Sequence, residues 1–187
     1  MAFDHRGGTN ATTPYAAVMG QTYVDIDEST PITILDPLRA QTLSSWVARV
    51  IPGDDTWPSA DELDTVTYID AVIHKAPSLR PVVLSGIDAV DRAARAHYGR
   101  GFVALAEAEQ VHILRETESS VAPEAFSVVL ELSYEAYYRA PRVQEIVKAR
   151  TGFDVHNTVV GKRMEPFPTE RLHDVGTRPD HYRSVLA

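Results

Sequence analysis

No cysteine occurs anywhere in the 187 residues. That one absence removes disulfides, thiolate-bound zinc, iron–sulfur clusters and cysteine nucleophiles together, and it fits a reducing compartment. Long apolar runs are missing too: no stretch approaches the roughly 20 residues that a membrane-spanning helix needs. The opening segment, MAFDHRGGTNATTPYAAVMG, carries one arginine, no arginine pair and no apolar centre, so it reads as neither a secretory nor a twin-arginine signal. The expectation is a cytoplasmic chain, unless a partner carries it elsewhere. Basic residues are the minority charge, 18 against 26 acidic for a net charge of −8. A phosphate backbone is bound by Lys and Arg, so this balance argues against nucleic acid as the main partner.

Catalytic signatures are scarce as well. There is no Gly-x-Gly-x-x-Gly or Walker sequence, no Gly-x-Ser-x-Gly elbow and no His-x-x-x-His pair. The chain therefore has no visible nucleotide site, serine nucleophile or zinc site of its own. At this length it can bury roughly 70% of its unfolded surface, enough to fold as one domain without a staple.

What is present is helical periodicity between two irregular ends. Residues 1–34 form an N-terminal arm rich in Thr, Asp, Gly and Ala; only TYVDIDE (22–28) and, more weakly, TPITIL (30–35) alternate like strands. Such an arm is either a flexible tail or an extended segment draped over a partner. From Asp36, a capping residue followed by proline at the first helical position, an apolar stripe runs through Leu38, Leu43, Trp46, Val47, Val50 and Ile51 until Pro52 stops it.

Ser59-Ala60-Asp61-Glu62 reads as a capping box opening a second helix on Leu63, Val66, Ile69 and Ile73. A third spans about Pro81 to Tyr98 and closes at Gly99, and a fourth runs from about Ala106 to Ser119. A fifth starts at Pro123, and a sixth opens at Pro141 and ends at Gly152. The expected fold is all-α: an irregular bundle of five to six helices over residues 35–152, with the N-terminal arm before it and an irregular tail, 153–187, behind.

Three constellations could carry chemistry. Asp54 and Asp55, in RVIPGDDTWPSA, could form an acid–base pair; equally, they are turn residues bonding their own backbone, with Trp57 as an apolar plug between the first two helices. Glu109-x-x-His112 and Glu170-x-x-His173 have the spacing of ferritin-like di-iron helices, with Glu131 or Glu135 as a further ligand, although the second motif lies in a proline-flanked tail. Solvated helix faces explain the same residues. Tyr134, Tyr137 and Tyr138 overfill one helical stripe, so at least one ring should face a groove or a partner. With them, Tyr15, Tyr23, Ile26, Trp57, Phe167 and Tyr182 make up the candidate interface.

The order of WVARVIPGDD, TVTYIDAVI, GIDAVDRAARAHYGRGFVALAEAEQVHIL and AFSVVLELSYEAYYRAPRV resembles the gluconate 2-dehydrogenase subunit 3 family over about residues 38–143. Its main elements are Ile51-Pro52-Gly53-Asp54-Asp55, the run His97-Tyr98-Gly99 with Phe102, Leu105 and Gln110, and Tyr137-Tyr138-Arg139-Ala140-Pro141. The resemblance implies a non-catalytic small subunit that wraps and stabilises a flavin-dependent dehydrogenase of the glucose–methanol–choline type. FAD would belong to that partner, and this chain would bind no cofactor or metal. The chain departs from the family in lacking a twin-arginine signal, and in having Arg142-Val143-Gln144-Glu145 where a Gly-Gly-Asn-type segment is usual. The partner's substrate, a sugar or an alcohol, is not carried over. A free-standing metal oxidase and a helical adaptor are the competing readings.

Overall fold

In a computed structural model of the chain, residue 26 and residues 29–154 are described. Among them are six α-helices: α1 (Pro37–Val50), α2 (Thr65–Lys75), α3 (Arg80–Tyr98), α4 (Glu107–Glu116), α5 (Pro123–Arg139) and α6 (Pro141–Thr151). No strand occurs among the described residues, so the all-α bundle read from periodicity is the fold. The alternation in TPITIL gives only an extended approach to α1.

Helix α5 is the central element. It packs on α2 and α3, touches α1, and carries α6 at its far end, while α4 lies against α1 and α3. The core gathers Leu43, Trp46 and Val47 from α1, Ile69 and Ile73 from α2, and Val129 and Leu132 from α5, all without solvent exposure. Trp46, with its ring centroid 5.8 Å from that of Phe126, sits where α1, α3 and α5 converge. Close approach there depends on Gly86: a Cβ on it would lie 2.4 Å from the Ala125 Cβ, so only glycine lets α3 and α5 cross at this distance.

The helix ends follow from local chemistry. The Asp36 carboxylate accepts the Leu38 and Arg39 N–H groups at 3.0 Å each, and Pro37 occupies the first helical position. These are the bonds the sequence leads one to expect, but Leu38 itself is an exposed residue and not part of the buried stripe. Glycines 99 and 152 close α3 and α6 with φ of 68° and 72°, a left-handed geometry that suits residues without a Cβ.

Two expected boundaries shift. Residues 60–62 form a separate 3-10 turn, and α2 begins only at Thr65. The Ser59 hydroxyl turns to the Asp61 carboxylate, and the Glu62 N–H bonds the Ser59 carbonyl at 3.1 Å; the capping box therefore opens the 3-10 turn and not α2. Helix α4 stops at Glu116, and residues 117–121 form a π-helical turn. The hydroxyls of Thr117, Ser119 and Ser120 donate to the carbonyls of Ile113, Glu116 and Glu116, competing with regular helix bonding.

Candidate partner interface

The turn after α1 is built from Asp54. Its carboxylate accepts the Thr56 N–H at 2.7 Å and the Trp57 N–H at 2.8 Å, and the Asp54 N–H returns to the Trp57 carbonyl at 2.9 Å. Those backbone donors, Trp57 before Thr56, hold the Asp54 carboxyl below the usual carboxylate range, with Arg150 adding to the effect. Asp55 is exposed and adds no hydrogen bond to the turn among the described residues. Gly53 completes the turn: a Cβ there would stand 2.7 Å from the Ser59 backbone nitrogen.

The C-terminal half of the body braces this turn. The Tyr137 hydroxyl donates to the Pro58 carbonyl at 3.0 Å, Arg142 pairs with Glu62 at 3.0 Å, and the Arg150 guanidinium lies 5.5 Å from the Trp57 ring centre. Trp57 is partly buried against the core edge and stacks toward α6; the tryptophan plugged among the helices is Trp46. That corrects the plug expected at Trp57. Trp57 sits in the exposed turn after α1, whereas position 46 lies in the middle of the α1 stripe.

The three tyrosines divide. Tyr137 is 4% exposed and belongs to the core; burial, then Tyr138, pushes its phenol up. Tyr134 and Tyr138, one helical turn apart, are 44% and 56% exposed, with their rings stacked at 6.3 Å and an interplanar angle of 14°. They are the large aromatic surface of α5. Tyr68 of α2 is buried under the Arg139 guanidinium, 4.9 Å from its ring centre. Desolvation, then the neighbouring Glu135 carboxylate, pushes the Tyr68 phenol strongly up.

Of the other interface candidates, Ile26 packs partly buried against the core. Tyr15, Tyr23, Phe167 and Tyr182 lie outside the described residues, as do Glu170 and His173. Glu109 is engaged at the start of α4: it accepts the Ala106 N–H at 2.8 Å and pairs with Arg100 at 3.0 Å. His112 Nδ1 lies 3.1 Å from the Tyr98 hydroxyl, and His97 Nε2 lies 3.0 Å from Glu116. No group of three His, Asp or Glu side chains among the described residues is arranged to hold a metal ion. Between α1 and α3 a groove of about 230 Å³ is roofed by the two-pronged Arg39–Asp88 pair, at 2.9 and 2.8 Å.

The gluconate 2-dehydrogenase subunit 3 family model matches residues 37–154, all six helices and well over half of the chain. The chain belongs to the gluconate 2-dehydrogenase subunit 3 family. No curated protein and no solved structure matches it. The family is named for one subunit of a dehydrogenase complex. In this member, each sequence element that carried the resemblance has a structural task. Ile51-Pro52-Gly53-Asp54-Asp55 is the Asp54 turn. The Gly99 run ends α3, with Asp91 accepting the Phe102 N–H at 3.0 Å and Gln110 donating to the Phe102 carbonyl at 3.1 Å. Tyr137-Tyr138-Arg139-Ala140-Pro141 ends α5 and begins α6.

One residue that nothing in the sequence singles out is Asp70, at 0% exposure on α2. It reads as a polar position between Ile69 and Ala71, and its partners lie more than thirty residues upstream, beyond the reach of any local pattern.

Proposed function

We propose that this chain is the non-catalytic small subunit of a flavin-dependent dehydrogenase complex, binding and stabilising a catalytic partner of the glucose–methanol–choline type that carries FAD and oxidises a sugar or an alcohol. The observation that carries this reading is the family match across the whole helical body, in which the motif carboxylates hold backbone N–H groups. A carboxylate satisfied by two or three fixed donors is stabilised as the anion, which suits structure and not general acid–base work. The stacked Tyr134–Tyr138 pair offers a partner large area with polar ends, the residue type enriched at interfaces.

The test is to purify the chain alone and co-expressed with a glucose–methanol–choline-type flavoprotein from the same genome, and to assay both with an artificial electron acceptor. The pair should carry flavin and turn over, whereas the chain alone should bind no flavin and show no activity. Turnover by the isolated chain overturns the reading.

A further inference from the structure

The groove of about 230 Å³ between α1 and α3 is lined deepest by Thr42 and Ile87, each 1% exposed, and at its edge by Leu38, 52% exposed. The carboxylates along it are satisfied. Arg39 grips both oxygens of Asp88, at 2.9 and 2.8 Å, and also reaches Asp36 at 3.1 Å. Asp91 accepts the Phe102 N–H at 3.0 Å and the Arg95 Nε–H at 2.8 Å. Two donors are left over. The buried hydroxyls of Thr117 and Ser133 donate to the carbonyls four residues back, at 2.8 and 2.6 Å. The Thr42 hydroxyl, on a side chain just as buried, makes no hydrogen bond among the described residues. A buried hydroxyl is costly without a partner, and in folded proteins water or a ligand supplies one that the chain does not. Arg92 lines the same groove, exposed and without an ion pair among the described residues. The Arg39 side chain, and after it Arg92, hold the Asp88 carboxyl below the usual carboxylate range, so the Arg92 charge acts within the groove.

We propose that this groove is a binding site for a small monocarboxylate: Arg92 and the Thr42 hydroxyl donate to the carboxylate, and a short aliphatic body lies against Leu38 and Ile87. The two unused groups are both donors, so the ligand brings acceptors. A guanidinium matches a carboxylate through two parallel N–H bonds. Asp36, Asp88 and Asp91 stand around the groove and repel a second negative charge, which favours a carboxylate over a phosphate dianion. The exposed Leu38 side chain gives an aliphatic body apolar surface to cover. Space is sufficient, since a closed cavity of about 150 Å³ already holds benzene. None of these residues belongs to the candidate partner interface, so the site stands or falls apart from the proposed function.

The experiment titrates the full chain with sodium butyrate at constant ionic strength, following the methyl resonances of Leu38, Thr42 and Ile87 by NMR. Butyramide serves as the uncharged counterpart and inorganic phosphate as the competing anion. Butyrate should shift all three methyls saturably, with half-saturation on the order of 1–10 mM, and the other two probes should bind about tenfold or more weakly. Arg92→Gln and Thr42→Val each delete one donor and keep most of the side chain's bulk. Each should weaken butyrate by about fivefold or more. Thr42→Val should also melt no lower than wild type, because its hydroxyl has no partner to lose. Should Thr42→Val fail to fold, the exposed Arg92→Gln carries the binding expectation alone. No saturable shift with butyrate overturns the site. Phosphate binding as tightly as butyrate overturns the carboxylate assignment, and butyramide doing so overturns the ionic contact. Unchanged butyrate affinity in either folded variant removes that donor and overturns the proposal.

Discussion

Tyr137 and Pro58 stand 79 residues apart in sequence, yet the phenolic hydroxyl of the first donates to the carbonyl oxygen of the second at 3.0 Å inside the protein. This bond fastens the turn after α1 to the last turns of α5, the same junction at which Arg142 meets Glu62. Tyr137→Phe keeps the ring and leaves a buried carbonyl without its donor. It should lower unfolding free energy by about 1–3 kcal/mol, measured by denaturant titration.

The two tryptophans should behave differently. Trp46 is wholly enclosed, so Trp46→Ala should cost roughly 3–5 kcal/mol, the range for emptying a buried aromatic site. Trp57, at the rim under Arg150, should cost clearly less, on the order of 1–2 kcal/mol. Equal losses in thermal or chemical unfolding would contradict the placement of these rings.

Asp54 makes stability depend on acid pH. Backbone donors lower its folded pKa from the ordinary 3.8, so the folded state binds the proton less readily than the unfolded chain. The contribution is full above the ordinary carboxylate value and is lost as pH falls through the lowered one. Asp36 and Asp88, lowered by the Arg39 N–H and the Arg39 side chain respectively, act in the same direction. Asp54→Asn should reduce the melting temperature at neutral pH and flatten its fall below about pH 4. Melting curves between neutral and acid pH check this.

Tyr134 and Tyr138 are exposed on α5 and contribute little to its core. The double change Tyr134→Ala and Tyr138→Ala should alter stability by only about 1 kcal/mol, in line with the loss of one stacked pair. Under the proposed function it should also weaken binding to the flavoprotein by about tenfold or more, read by titration calorimetry.

How far these features were legible in the sequence depended on whether their causes are local. Asp36–Pro37, Gly99 and Gly152 act on neighbours within four residues, so α1 starts, and α3 and α6 stop, at their expected positions. The Ser59 box and the Thr117–Val121 turn are local too, yet each side chain there has two competing bonds, and only the packed structure selects one. Tyr134, Tyr137 and Tyr138 showed that a ring would face outward; the Pro58 carbonyl decided that it would not be Tyr137. Asp70 was silent, because a carboxylate that collects amides from residues 33–35 leaves no periodic trace.

The central claim is that the Asp54 carboxylate serves architecture, with the chemistry on the partner. Turnover per bound flavin, measured on the complex assembled with wild-type chain and with Asp54→Asn, tests it most directly. The account predicts a lower yield of complex with a turnover number within about twofold of wild type, since no proton transfer passes through Asp54. A stable, fully flavinated Asp54→Asn complex turning over about 100-fold more slowly would contradict it.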